Sequence, residues 1–189
     1  AGTPVVAGGG DAATGAISVG AVSDGECFLS LGTSGQLFRA TDAYRPNPAE
    51  VVHAYAHCVP ETWFQMAAML NGARPMDWLS GICGAPVSDL LAEAAAVASE
   101  EAPIFLPFLT GERTPHGDPH IRGGFHGLAD GMMRGHMMRA VVDGVAFSFA
   151  DAADALTRAG ATFDRVPAIG GGARSDLLLQ TIADVTGFT

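Results

Sequence analysis

Glu26-Cys27-Phe28-Leu29-Ser30-Leu31, then Gly32-Thr33-Ser34-Gly35, then Gln36-Leu37-Phe38-Arg39-Ala40 is two apolar runs of strand length broken by four small residues. Apolar runs bounded by glycine read as strands, so Glu26–Leu31 and Gln36–Ala40 are predicted as a neighbouring pair. After a Pro- and Asn-rich loop at Arg45–Pro48, two more such runs follow, His53–Val59 and Thr62–Met69, parted by a Pro60-Glu61 turn. Strands this closely spaced predict an antiparallel or mixed sheet, because a parallel crossover needs a dozen or more residues.

Working outward, Pro4–Ala7 is a short β-type run stopped by Gly8-Gly9-Gly10-Asp11, and the small residues from Ala12 to Val22 read as a tightly packed helix. Downstream, Met76–Ile82 and the alanine-rich Val87–Ser99 predict helices, and Ile104–Leu109 a short strand. A long loop carries Gly111-Glu112-Arg113-Thr114-Pro115-His116 and Gly123-Gly124-Phe125. Gly135–Ala159 predicts a long helix, since Met138, Val141, Val145, Phe149, Ala152 and Leu156 recur at three- and four-residue spacing. Arg165–Ile169 reads as a strand ending in Gly170-Gly171-Gly172, and Asp176–Val185 as a closing helix. Neither repeats nor linkers interrupt this order, which predicts a single α/β unit.

Composition narrows the function. Of 189 residues, 48% are hydrophobic and 16% charged, a balance that suits a packed core. No run approaches the roughly 20 apolar residues needed to span a bilayer. All ten basic residues are arginines, set against twenty acids, so nucleic acid and anionic membranes are poor partners. The lack of lysine also excludes a Walker A loop. Cys27, Cys58 and Cys83 form no CxxC pair and read as buried small hydrophobes in a reducing cytoplasm. The six histidines show no metal-ligand pattern, and no resident metal is expected. Met132, Met133, Met137 and Met138 read as core filler, and Arg139 with Asp143 as a surface or interdomain ion pair. The start, Ala1-Gly2-Thr3-Pro4, reads as a cut inside a longer chain.

Three glycine-rich junctions each follow an apolar run. At Gly8-Gly9-Gly10-Asp11, the aspartate is either a helix N-cap or a general base beside a cleft. Gly32-Thr33-Ser34-Gly35 is either a tight hairpin turn or a phosphate loop whose backbone amides and hydroxyls converge on an anion. At Gly170-Gly171-Gly172-Ala173-Arg174-Ser175, a strand end meets a helix N-terminus, which favours anions. The spacing is not GxGxxG, so a dinucleotide fold is not supported. Glycines there would offer a flat surface to an adenine ring.

Taken in order, Val-Ala-Gly-Gly-Gly-Asp11, Ser-Leu-Gly32-Thr-Ser-Gly twenty-one positions after the aspartate, Leu-Pro-Phe-Leu-Thr-Gly-Glu112-Arg-Thr-Pro-His and Ile-Gly-Gly-Gly-Ala-Arg-Ser175 resemble the FGGY carbohydrate kinases. A further signature of that family is similar to Gly123–Asp143: Gly-Gly-Phe-His-Gly-Leu, seven residues, His136-Met137, two residues, then Ala140-Val141-Val142-Asp143. The resemblance covers essentially the whole chain, and the Gly111–His116 segment is similar to the xylulokinase branch. Read from its residues alone, that segment is equally a buried structural ion pair.

The resemblance implies an α/β fold, an actin-like ATPase (ribonuclease H-like) domain with a mixed sheet flanked by helices and incomplete at its C-terminal end. Residues 1–189 would be the second, nucleotide-binding domain of a cytoplasmic sugar kinase, its N-terminal sugar-binding domain absent. The implied reaction is phosphorylation of D-xylulose by ATP. Mg²⁺ would be held through the nucleotide and the absent domain, and a homodimer of the intact enzyme is compatible. By position, Asp11 matches the family's general base, with Gly10 beside it at the sugar. Gly32 and Thr33 match a phosphate loop, Gly170, Gly171 and Gly172 an adenosine motif. Ser175 falls near the adenine, and Ala73 in a segment that approaches the nucleotide. Ribulose, gluconate or glycerol kinases, and a non-catalytic nucleotide-binding module, share the scaffold. On its own, the chain is expected to carry only part of a site.

Overall fold

The computed structural model describes residues 2–5 and 8–189. Helix α1 (Asp11–Val19) comes first, followed by strands β1 (Cys27–Leu31), β2 (Gly35–Thr41), β3 (His53–Ala56) and β4 (Trp63–Met69). Helices α2 (Arg74–Cys83) and α3 (Val87–Ala94), short strands β5 (Ile104–Leu106) and β6 (Gly124–His126), helix α4 (Arg134–Arg158), strand β7 (Ala168–Ile169) and helix α5 (Asp176–Thr186) complete it. Five strands form one mixed sheet in the order β3-β4-β2-β1-β7, and β5 pairs with β6 apart from it. Among the described residues, no helix is long and apolar enough to cross a membrane.

Alternation along the strands sorts the two faces. Leu29 and Leu31 on β1, Leu37 on β2, and Ala67 and Met69 on β4 share one core with α2, α3, α4 and α5. The intervening Phe28, Phe38, Ala40 and Phe64 point to the other face and pack with Ala13 and Ala16 of α1. There the rings of Phe28 and Phe38 stack at 4.8 Å and those of Phe38 and Phe64 at 4.7 Å, running across three neighbouring strands. A register slip of one residue would put these rings where the leucines belong, so the alternation itself fixes the pairing.

Helix α4 is the spine of the larger core, with Val141, Val142, Val145, Phe149 and Leu156 fully buried. It lies close on β5 because Gly144 has no side chain: a Cβ there would sit 2.5 Å from the Phe105 carbonyl oxygen.

The predicted elements are all present except at the start, with shifted ends. Val6 and Ala7 of the expected first β-run lie outside the described residues, and Pro4 and Val5 are not in a strand. Helix α1 stops at Val19 rather than Val22 because Gly20 turns left-handed, φ 79°, and caps it. Strand β3 ends at Ala56, where His57 turns into the core with Nε2 3.2 Å from the Ala21 carbonyl oxygen. Helix α3 ends at Ala94, not Ser99, because α4 holds the following chain: Arg139 donates to the Val97 carbonyl at 3.2 Å and Ser99 to Asp143 at 2.6 Å.

The Arg139–Asp143 pair, 2.9 Å apart, is therefore not superficial: its side chains are 18% and 12% exposed, and it ties α4 to the Val97–Ser99 segment. Cys58 is exposed, contrary to the expectation that all three cysteines are buried.

Candidate active site

β1 and β4 are each antiparallel to β2, and β7 is parallel to β1, so β1, β4 and β7 all point the same way. Their carboxyl ends deliver three turns to one edge of the sheet: Gly32-Thr33, Asn71-Gly72-Ala73 and Gly170-Gly171-Gly172. Ligands in open α/β sheets bind outside such ends.

The turns are in backbone contact. Gly72 and Arg74 donate their N–H groups to the Thr33 carbonyl at 3.1 and 3.3 Å, and Ala73 donates to that of Gly32 at 2.8 Å. A Cβ on Gly72 would fall 2.7 Å from the Gly32 carbonyl oxygen, and one on Gly170 would fall 2.7 Å from that of Leu31. The end of β1 is thus clasped on both sides by glycines that no other residue could replace without moving it.

Two other glycines meet open space. A Cβ on Gly171 would have no protein atom within 4 Å, and one on Gly32 only the Ser34 carbonyl oxygen at an ordinary 3.6 Å. Both line a cleft of about 900 Å³ together with Thr33, Ala73, Gly172 and Ser175. That volume falls within the usual 300–1,000 Å³ range of small-molecule sites. Met76, Val87, Leu91 and Leu177 give it an apolar flank, and Asp77, Ser88 and Arg174 its polar groups. Arg174 is the sole cation among these lining residues. Helices α2, α3 and α5 all begin at the cleft. At α2 the Ala73 and Arg74 amides are already bonded to Gly32 and Thr33 and Pro75 has none, so free N–H groups come from the start of α5, with the positive end of its dipole. Ser175 also serves as the N-cap of α5, its Oγ accepting the Leu178 N–H at 3.2 Å.

These features fit a nucleotide: bare glycine backbone where a flat or charged ligand must come close, amides for phosphate, an apolar flank for a base. Among the described residues, no group of three or more His, Cys, Asp or Glu side chains gathers as a metal cage.

The sequence-predicted residues divide accordingly. Gly32, Thr33, Ala73, Gly171, Gly172 and Ser175 share the cleft, and Gly170 supports it from behind. Gly10 and Asp11 are exposed and are not among the cleft-lining residues. Gly10 is the N-cap of α1, and Asp11 is its first residue rather than the cap, with Oδ1 accepting only the Ala12 N–H at 2.8 Å. The helix start lies against the β3–β4 turn, where Cys58 Sγ donates to the Ala13 carbonyl at 3.3 Å.

Glu112 is 3% exposed, and among the described residues it has no ion-pair partner. It is buried, as the structural reading of its segment held, but the ion pair is replaced by amides. Leu70 and Arg113 donate their backbone N–H groups to Oε1 at 2.6 and 2.7 Å, and Asn71 Nδ2 to Oε2 at 3.1 Å. Sequence reading passed over Asn71, Asp77, Ser88 and Arg174; only the Asn71-Gly72 pair, a turn signal after a strand, offered a local clue.

The FGGY family of carbohydrate kinases, C-terminal domain, matches residues 27–189. The chain belongs to that family. It is 42% identical over 186 residues to the xylulose kinase of Escherichia coli (strain K12), covering 97% of this chain and 38% of that protein. A crystal structure described as a xyloylose kinase from Brucella ovis superposes with a TM-score of 0.92 at 42% identity, covering 96% of this chain and 38% of the other. The xylulose kinase structure from Bifidobacterium adolescentis gives 0.84 at 28% identity, covering 96% and 36%. The fold is the actin-like ATPase fold of these kinases. The chain spans about two-fifths of the length of the curated relatives it matches.

Proposed function

We propose that this member of the FGGY family is the nucleotide-binding domain of an ATP-dependent sugar kinase that converts D-xylulose to D-xylulose 5-phosphate. The observation that carries the reading is the convergence of three strand-end turns and the starts of helices α2, α3 and α5 on one cleft. The sugar is taken from the relatives, which are xylulose kinases.

In this reading the Gly170-Gly171-Gly172 turn and the apolar flank receive adenosine, while Gly32, Thr33 and Ala73 face the phosphates. Ser175 lies beside the base, and Arg174 offsets the negative charge that Asp77 and Asp176 bring to the cleft. Magnesium would arrive with the nucleotide and neutralise its phosphate oxygens. Asp11, with Gly10 at the sugar, accepts the hydrogen bond of the sugar hydroxyl. As that oxygen bonds to the γ-phosphorus and the bond to ADP breaks, the hydroxyl proton passes to the Asp11 carboxylate. The remaining sugar contacts come from a domain outside this chain.

A sugar panel on the full-length enzyme tests the proposal. D-xylulose should exceed D-ribulose, gluconate and glycerol in kcat/KM by at least about tenfold, the discrimination of a single well-placed contact. A different preferred sugar overturns the substrate assignment. ADP binding with no transfer to any sugar favours a non-catalytic module.

A further inference from the structure

A buried carboxylate without a cation is costly unless donors surround it, and such groups invite the question of what they hold. The three donors to Glu112 fall into two segments. One is the Arg113 amide of its own loop; the others, Leu70 N–H and Asn71 Nδ2, belong to the turn where β4 ends. Past Met69 the sheet ladder offers the chain no further partner, and Glu112 Oε1 takes over at Leu70. Asn71, 1% exposed, is held doubly, with Nδ2 on Glu112 and 2.9 Å from the Gly111 carbonyl oxygen. With Leu70 and Asn71 fixed, the next three amides, Gly72, Ala73 and Arg74, are aimed at the carbonyls of Gly32 and Thr33.

We propose that Glu112 is a positioning residue for the phosphate loop, acting on Gly32-Thr33 through the Leu70–Ala73 turn without touching the cleft. This inference rests on the nucleotide reading of the cleft. An apolar residue in its place would leave the Leu70 and Arg113 backbone amides without their carboxylate acceptor and Asn71 Nδ2 with only the Gly111 carbonyl. Glutamine would keep one oxygen but turn an NH₂ against Asn71 Nδ2. Aspartate would keep the charge and withdraw both oxygens from the turn by one methylene.

The control comes from the same loop. Thr114 Oγ1 accepts the Ala68 N–H at 3.1 Å and donates to the Val51 carbonyl at 2.8 Å, fastening the loop to the body of β4 rather than to the turn. In the full-length enzyme, Glu112→Gln should raise the Kd for ADP and the KM for ATP about tenfold, the equilibrium equivalent of one lost charge-assisted hydrogen bond. The KM for the sugar should stay within about twofold, and Glu112→Asp should fall between glutamine and wild type. Thr114→Val should lower the melting temperature while leaving ADP affinity within about twofold.

Equal loss of ADP affinity in Glu112→Gln and Thr114→Val makes the role merely structural and overturns the proposal, as does unchanged ADP binding by a folded Glu112→Gln. Should that variant not fold, hydrogen exchange in the wild type decides: ADP should slow the amides of Leu70, Gly72 and Arg113, and unchanged exchange there overturns it. Failure of the wild type to bind ADP removes the nucleotide reading and this inference together. Normal wild-type binding beside an indifferent Glu112→Gln removes this inference alone.

Discussion

A Cβ placed on Gly72 would fall 2.6 Å from the carbonyl carbon of Ser34, so the turn after β4 and the loop after β1 touch backbone to backbone. The conflict is one of contact, since Gly72 is not among the positive-φ residues. Gly72→Ala should therefore push the two turns apart, costing about 1–3 kcal/mol of stability and most of the nucleotide affinity. Urea unfolding and ADP calorimetry on the full-length enzyme read the two effects; a variant unchanged in both refutes the close approach.

Gly171→Ala should behave in the opposite way. Its Cβ meets no protein atom within 4 Å, so stability should stay within about 0.5 kcal/mol, as for surface changes. ADP affinity should nonetheless drop at least about tenfold, the cost of a methyl group where a ligand must lie flat. Undiminished binding would mean that the ligand does not lie on this turn.

Asp11→Asn in the intact enzyme should slow phosphoryl transfer by roughly 10²–10⁴-fold, the usual worth of a general base, with ADP affinity nearly unchanged. Stopped-assay turnover beside calorimetry separates these. Transfer surviving within a few-fold would reduce Asp11 to an ordinary first-turn acid of α1.

Burial pushes the Cys27 thiol above its ordinary value, with Arg39 opposing in part, and the residue is 7% exposed. Cys58 is exposed and Cys83 intermediate. Alkylation of the folded protein should label Cys58 first, Cys83 next, and Cys27 only on unfolding, because access and thiolate fraction both govern the rate. Peptide mass spectrometry gives the order, and early labelling of Cys27 contradicts the packing of β1.

Hydrogen bonds from Arg158 and Arg134 hold the carboxyls of Glu50 and Glu93 below their ordinary value of 4.5. Groups depressed in the folded state stabilise it above the unfolded value, and that stability is lost as pH falls through the folded one. Asp151 runs the other way: burial raises it from 3.8, so its contribution fades as pH rises. The melting temperature should therefore fall below about pH 4.5 and fall less steeply in Arg158→Ala, screened in part by salt. An acid limb identical in wild type and variant would show that the exposed Glu50 pair does not contribute.

The strands around Gly32–Gly35 and the long helix α4 were legible because their signals are local: glycine punctuation, period-two alternation, and apolar residues at helical spacing. Strand β6 was not, since Gly124-Phe125-His126 gains strand character only by pairing with Ile104–Leu106, some twenty residues away. Ala95, Ala96 and Ala98 read as helix, yet Arg139 and Asp143 on α4 claim the chain that follows Ala94.

At the cleft, Gly32 and Gly171 were picked out by their place in the family's ordered motifs, since each glycine turn read alone is equally a hairpin or a helix start. The work of Glu112 could not, because its partners at Leu70 and Asn71 lie some forty positions away and two of its three donors are backbone amides, which carry no sequence signal.

Strand β7 joins β1 through only Leu29–Ala168 and Ser30–Ile169, so the last wall of the cleft must return across nearly 140 residues to its neighbour. Long-range closure of this kind is slow and entropically expensive. A ligand spanning β1 and β7 would act as a clasp across that junction, while α5 stays anchored to the core through Leu178 and Ile182. Without such a ligand, the two-pair β1–β7 junction remains the most thinly laddered seam of the main sheet.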